Sequence, residues 1–251
     1  MTASFDDLVA EAGAVPVDGW DFSWLDGRAS EERPPWGYQR LVGERMATAS
    51  VALDLQTGGG EVLAGVPRLA PVTVATEPWP PNLRRAAQRL LPRGATVLAV
   101  ADGPSFPLRD NAFDLVVSRH PVRAWWAEIA RVLAPGGTYL SQEVGQRSVA
   151  ELVEFFLGPR SWEGRDPAAA RAMAAAEGLE VVDLRTARLR TEFSDVGAVV
   201  YFLRKVIWMI PGFTVEAHRT RLRELHERIT AEGPFVAHTT RFLIEARKPR
   251  R

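Results

Sequence analysis

An apolar run that ends in an acid and breaks at once into three glycines constrains this chain more than any other stretch: Val51-Ala52-Leu53-Asp54-Leu55-Gln56-Thr57-Gly58-Gly59-Gly60. Glu61-Val62-Leu63-Ala64, which follows, is helix-compatible. The order predicts a buried strand, a tight turn and a helix start. Glycine suits the turn because the backbone must adopt unusual dihedrals and a ligand must approach it closely. In open α/β sheets, a nucleotide-like ligand sits beyond the carboxyl end of such a strand.

The rest of the chain repeats the rhythm. Pro71–Thr76 reads as a second buried strand ending at Glu77, and Pro78, Pro80 and Pro81 punctuate the turn. Asn82 is placed to cap a helix through Leu91. Gly94–Val100 and Phe113–Val117 read as further strands, the first ending at Asp102-Gly103. Val122, Trp125, Trp126, Ile129, Val132 and Leu133 then share one apolar helix face, which stops at Pro135-Gly136-Gly137, and Thr138–Gln142 follows as a fifth strand. Strand and helix alternating at this spacing imply a parallel sheet with helices on both faces. Beyond residue 145, helices are expected at Val149–Leu157, Pro167–Ala175, Val196–Met209 and Val215–Ala231. Strands are expected at Glu180–Leu189 and Phe235–Ala246. A leader over residues 14–36, rich in Trp, Pro and acids, precedes a short helix from Gly37 to Ala47.

Composition narrows the function classes. The 251 residues carry 31 Lys+Arg against 31 Asp+Glu, so the basic excess of a dedicated nucleic-acid binder is missing. With no cysteine, disulfides, thiolate metal sites and a cysteine nucleophile are excluded. His218, His226 and His238 lack metal-ligand spacing, so no metal is expected. The first residues carry acids and no secretory signal. The most apolar window, Val196–Phe213, is interrupted by Arg204, Lys205 and Pro211, short of a membrane span. A cytoplasmic protein is the expectation, organised as one domain over 1–251: a leader and lid at 1–47, a cofactor-binding core at 48–145, and C-terminal helices and closing strands at 146–251.

The glycine turn alone does not choose a cofactor. A dinucleotide fingerprint counted from Gly58 meets Gly60 but then Leu63 where a third glycine belongs, and the phosphate-loop Lys is missing. The distinguishing pattern is an acid before the glycines and further acids ending the next two strands: Asp54, Glu77 and Asp102. From about Ala52 to Val144 this pattern resembles the class I S-adenosylmethionine-dependent methyltransferase family. The run Arg131–Gly137 resembles that family's turn from helix to fifth strand. The resemblance implies a Rossmann-like, doubly wound sheet of seven strands, mostly parallel with the last one antiparallel. It also implies S-adenosylmethionine as cofactor. Asp54 and the turn Gln56, Thr57, Gly58 and Gly60 would hold its methionine part. Glu77 would accept from both ribose hydroxyls, Pro78 or Trp79 would pack on the adenine, with Asn82 close by, and Asp102 with Gly103 would meet the adenine amino group. Ser118 and Arg119 would lie beside the methionine end. Gln56 departs from the family, which commonly has glycine there.

His120 directly follows the fourth strand, where a substrate would meet the methyl group, and is the candidate base for a hydroxyl acceptor. It also reads as a cap or spacer of the helix starting at Pro121. Trp20, Trp24, Trp36 and Tyr38 either pack the leader onto the sheet or form an aromatic lid over an apolar acceptor, with Arg33 and Gln142 supplying polar contacts. Asp114, at the start of its strand, reads as structural. Val196–Met209 fits core, pocket wall or homodimer surface alike. The function expected is O- or N-methylation of a small organic acceptor. An RNA base methyltransferase, and a cofactor-binding protein without methyl transfer, are the alternatives.

Overall fold

The computed structural model describes residues 3–162 and 165–250. Its helices are α1 (Phe5–Ala14), α2 (Tyr38–Met46), α3 (Glu61–Ala64), α4 (Pro80–Leu90), α5 (Trp126–Val132), α6 (Ala150–Leu157), α7 (Pro167–Ala176), α8 (Val196–Lys205) and α9 (Arg219–Glu232). Its strands are β1 (Ala29–Glu31), β2 (Val51–Leu55), β3 (Val72–Glu77), β4 (Thr96–Ala99), β5 (Phe113–Arg119), β6 (Leu133–Val144), β7 (Glu180–Phe193) and β8 (Phe235–Arg247). They form a sheet in the order β1-β7-β8-β6-β5-β2-β3-β4.

The expected doubly wound α/β sheet is present, with eight strands where seven were expected. The additional strand, β1, has three partly exposed residues paired antiparallel to the end of β7. So short a strand at an edge has no room for the alternation that marks strands in sequence. β2 pairs parallel with both β3 and β5, β3 with β4, and β5 with β6, while β8 closes antiparallel to β6.

The chain divides into two compact units. One comprises residues 34–146, 163–187 and 241–251. It contains the parallel strands, whose buried side chains pack on α2–α4 through Leu63, Ala86 and Leu90 and on α5 and α7 through Ile129, Val132 and Ala174. The other comprises residues up to 33, 147–162 and 188–240, built around α1, α6, α8 and α9. Here α1 is an element the sequence reading passed over. Ser4 caps it by accepting from the Asp7 amide, and Phe5, Leu8, Val9 and Ala12 make its buried face.

Several boundaries moved. Asn82 is not the cap of α4, which starts at Pro80 with Trp79 before it, because proline at the first helical position needs no amide partner. Trp125 precedes α5 and Val122 is exposed, so neither belongs to that helix. β6 begins at Leu133: Pro135-Gly136-Gly137 forms a bulge within it, where the register against β5 shifts between Phe113 and Leu115. α8 stops at Lys205 and α9 starts at Arg219. Among the described residues no helix is long and apolar enough to cross a membrane.

Candidate cofactor site and its histidine

Three acids sit at the carboxyl ends of three adjacent strands in the parallel unit. Asp54 lies near the end of β2, and its Oδ2 accepts from Thr57 Oγ1 at 2.6 Å. It is almost wholly buried, and desolvation, helped by the nearby Glu77 charge, pushes its pKa to about 7. Glu77 ends β3 and is also buried. Its Oε2 accepts from the Gly58 amide at 2.9 Å and its Oε1 from the Trp79 amide at 3.0 Å. Burial raises its pKa, while these bonds and one from the Asn82 side chain oppose the rise. Asn82 thus belongs to the site as a partner of Glu77. Asp102 follows β4, and its Oδ1 accepts from Trp125 Nε1 at 2.7 Å.

The glycines divide the work of the turn. Gly58 has φ +62° and open space where a Cβ would stand, so its backbone is bare on that side. Gly60, at φ +81°, has no such room, because a Cβ would press on Leu90 and the Ala86 backbone of α4. Gly103, beside Asp102, also faces open space.

Gln56 stands between these groups. Its φ of 55° is left-handed, a conformation that disfavours a residue with a side chain. The side chain reaches away from the turn: Oε1 accepts from the Val122 amide at 2.7 Å, and Nε2 donates to the Arg123 carbonyl at 3.2 Å and approaches Asp102 Oδ1 at 3.4 Å. Gln56, Thr76, Pro78, Val100, Asp102 and Phe106 line a small cleft joining the ends of β2, β3 and β4. The residues present fit the polar groups of an adenosine-bearing ligand, with open backbone at the turn, carboxylates for amino and hydroxyl groups, and Pro78 and Phe106 lining the small cleft beside them.

At the end of β5, Ser118 Oγ donates to the Leu55 carbonyl at 2.9 Å, and the Ser118 carbonyl accepts from Tyr38 at 2.7 Å. Ser118 therefore ties the strand ends together, and Arg119 is exposed. Asp114, at the far end of β5, accepts from the Ser50 and Val51 amides, the structural role expected of it. His120 has φ 54°, its amide donates to the Gln142 carbonyl at 2.7 Å, and its Nε2 lies 3.0 Å from Gln142 Nε2. Trp36 Nε1 donates to Gln142 Oε1 at 2.7 Å. Burial pushes the His120 pKa well below the usual histidine value, and Arg241, Arg119 and Arg165 add to the effect.

The remaining candidate acceptor contacts, Trp20, Trp24 and Arg33, belong to the other unit. There Trp20 meets Phe22 and Trp208, and Trp24 packs on Tyr201 with the Arg28 guanidinium over its ring. Arg33 is exposed. No metal-holding cluster of His, Cys, Asp and Glu occurs among the described residues. Sequence reasoning missed Trp125 as a partner of Asp102, having placed it on a helix face. It also missed Glu143, a buried acid at the end of β6 whose Oε1 has no hydrogen-bond partner.

Residues 53–141 match the family described as "Methyltransferase domain". No curated protein is similar in sequence. Among solved structures, a methyltransferase candidate from Bacillus halodurans C-125 superposes with a TM-score of 0.60 at 19% identity, over 84% of this chain and 98% of the other. The [4+2]-cyclase SpnF gives 0.51 at 20% identity, over 84% and 80%. A Haemonchus contortus phosphoethanolamine N-methyltransferase, in complex with phosphomonomethylethanolamine and S-adenosylhomocysteine, gives 0.52 at 16% identity, over 99% of this chain and 61% of the other. At these identities the likeness is one of fold. Residues 53–141 thus match the methyltransferase-domain family, and the sheet that carries them has the fold of these methyltransferase structures.

Proposed function

We propose that the chain binds S-adenosylmethionine at the ends of β2, β3 and β4 and methylates a small organic acceptor. The observation that carries this reading is the placement of Asp54, Glu77 and Asp102 on three successive strand ends around open glycine backbone. When bound, the cofactor supplies a methyl group made electrophilic by a sulfonium. Asp54 and the turn would hold its amino-acid end, and Glu77, already accepting from two amides and the Asn82 side chain, has a lone pair left for a ribose hydroxyl. Asp102 Oδ2 receives no donor among the described residues and would take the adenine amino hydrogen. The chain's own contribution is to position the acceptor in line and to exclude water.

Zero formal net charge supports a small molecule over RNA. Calorimetry with S-adenosylmethionine tests the reading: heat with the wild type, and binding weakened at least tenfold in Glu77→Ala and Asp102→Ala. No heat with the wild type would sink it.

Gln56 and the likeness to a cyclase support a second reading, a cofactor-binding protein that transfers no methyl group. Binding without product across hydroxyl, amine and carboxylate acceptors would favour it.

A further inference from the structure

An indole nitrogen only donates hydrogen bonds, and that fact propagates through two side chains. Trp36 Nε1 lies 2.7 Å from one end of the Gln142 amide, so that end must be the carbonyl oxygen. The other end is then the NH2 group, and it lies 3.0 Å from His120 Nε2. Two donors do not share one bond, so His120 Nε2 must be the acceptor and carry no proton. A neutral imidazole without a proton on Nε2 carries it on Nδ1. Trp36 and Gln142 are both buried, so neither partner has water as an easy substitute and reversing the amide would leave a buried donor facing a donor.

We infer that Trp36 and Gln142 lock His120 as the Nδ1–H tautomer, so that at the end of β5 it presents a hydrogen-bond donor, in place of a base, to an oxygen of the bound acceptor molecule. Among the described residues Nδ1 has no hydrogen-bond partner. Arg119 from β5, Arg241 from β8 and Arg165 from the segment before α7 make the surroundings positive, which suits a carboxylate or carbonyl oxygen and disfavours a cationic group. The same three charges, and burial, oppose a second proton on the ring. Trp36 and Gln142 are positioning residues: they act through His120. The tautomer assignment stands on geometry alone. Only the identity of the oxygen as part of a methyl acceptor rests on the proposed function.

Nitrogen-15 NMR of the full chain labelled at histidine reads the tautomer directly. The chain has four histidines, and His120→Gln identifies the signal by its loss. The expected spectrum shows an unprotonated Nε2 and a protonated Nδ1, unchanged over the pH range in which exposed histidines titrate. Gln142→Glu replaces the amide by a carboxylate that accepts from indole and imidazole alike. It should move the proton to Nε2 and raise the titration midpoint. Trp36→Phe removes the donor that orients the amide and should give a mixture of tautomers. A wild-type ring protonated on Nε2, or titrating like an exposed histidine, would overturn the assignment. For the oxygen ligand, acetate at constant ionic strength should shift the Nδ1–H resonance saturably, and tetramethylammonium should not. No acetate shift would overturn that part. Because these spectra are taken without cofactor, a failed calorimetric test of cofactor binding leaves them interpretable.

Discussion

Trp125 Nε1 donates to Asp102 Oδ1 at 2.7 Å, fixing the carboxylate that follows β4 from a residue that precedes α5. The bond leaves Oδ2 as the oxygen for an incoming donor. A charge-assisted bond of this kind contributes about 1.5 kcal/mol when its geometry holds. Trp125→Phe should therefore loosen S-adenosylmethionine binding several-fold, and Asp102→Asn more strongly. If Trp125 acts only by holding Asp102, the double variant binds no more weakly than Asp102→Asn alone. Additive losses in titration calorimetry would show that Trp125 touches the ligand by itself.

Gln56 reverses the usual ranking of alanine and glycine. Its left-handed φ costs a residue with a Cβ about 1 kcal/mol, which glycine escapes. Its side chain offsets that cost by bonding the Val122 amide and Arg123 carbonyl. Gln56→Ala keeps the strain and loses the bonds, whereas Gln56→Gly loses both. Urea denaturation should rank the wild type first, Gln56→Gly second and Gln56→Ala about 1 kcal/mol below glycine. In both variants the Val122 amide should exchange faster with solvent. An alanine variant more stable than the glycine variant would refute the strain argument.

The contrast between Gln56 and the acids shows what was legible in sequence. Asp54, Glu77 and Asp102 could be found because each ends an apolar strand, and strand ends are marked by local alternation and turn residues. Asp114 was readable as structural because it starts its strand, at the end away from the crevice. The relay from Trp36 through Gln142 to His120 joins residues 106 apart in the chain and depends on how β5 and β6 lie beside α2. No local pattern encodes it. The bulge at Pro135-Gly136-Gly137 is intermediate: the glycines announced a break, but pairing with β5 made it an interruption inside β6. By contrast, α1 was readable from the Ser4 cap and the spacing of Phe5, Leu8, Val9 and Ala12.

Arg131 sits in the stretch Arg131–Gly137 that resembles the methyltransferase family, and the structure shows what it holds. Its guanidinium forks onto both oxygens of Glu128 at 2.7 Å, and also reaches Asp110 and the carbonyls of Phe106 and Leu108. Glu128 is buried, accepts from the Phe106 amide at 2.6 Å, and the Arg131 bonds hold its pKa below the usual value. The pair fixes the segment carrying Phe106, a wall of the cleft. Lysine lacks the planar fork, so Arg131→Lys should lose about 2 kcal/mol of stability. Arg131→Met strands a buried carboxylate and should lose 3 kcal/mol or more, on the order expected for a broken buried pair. Adding Glu128→Gln to Arg131→Met should recover part of that loss in equilibrium denaturation. If the double variant is less stable than Arg131→Met, the stranded charge is not the cause.

Asp54 and Glu143 make stability fall as pH rises toward neutrality. Burial raises both to about 7, from 3.8 and 4.5, the Glu77 charge adding to the effect on Asp54 and Arg165 opposing it on Glu143. Between about pH 4 and 7 the folded chain keeps protons that the unfolded chain has released, so stability drops through that window. At 1.36 kcal/mol per pH unit, the Asp54 contribution reaches on the order of 4 kcal/mol by pH 8. His120 acts oppositely, because its lowered pKa makes its contribution vanish as pH falls below 6.5. Variants are therefore compared with the wild type at the same pH. Asp54→Asn should raise the melting temperature at pH 8 and leave it nearly unchanged at pH 4. A melting-temperature difference that does not grow with pH would refute the assignment. The same proton couples to ligand binding. A cationic amine placed beside Asp54 favours the carboxylate, so S-adenosylmethionine should release a proton on binding near pH 7. Calorimetry in buffers of different ionisation enthalpy should detect this in the wild type, and Asp54→Asn should abolish it.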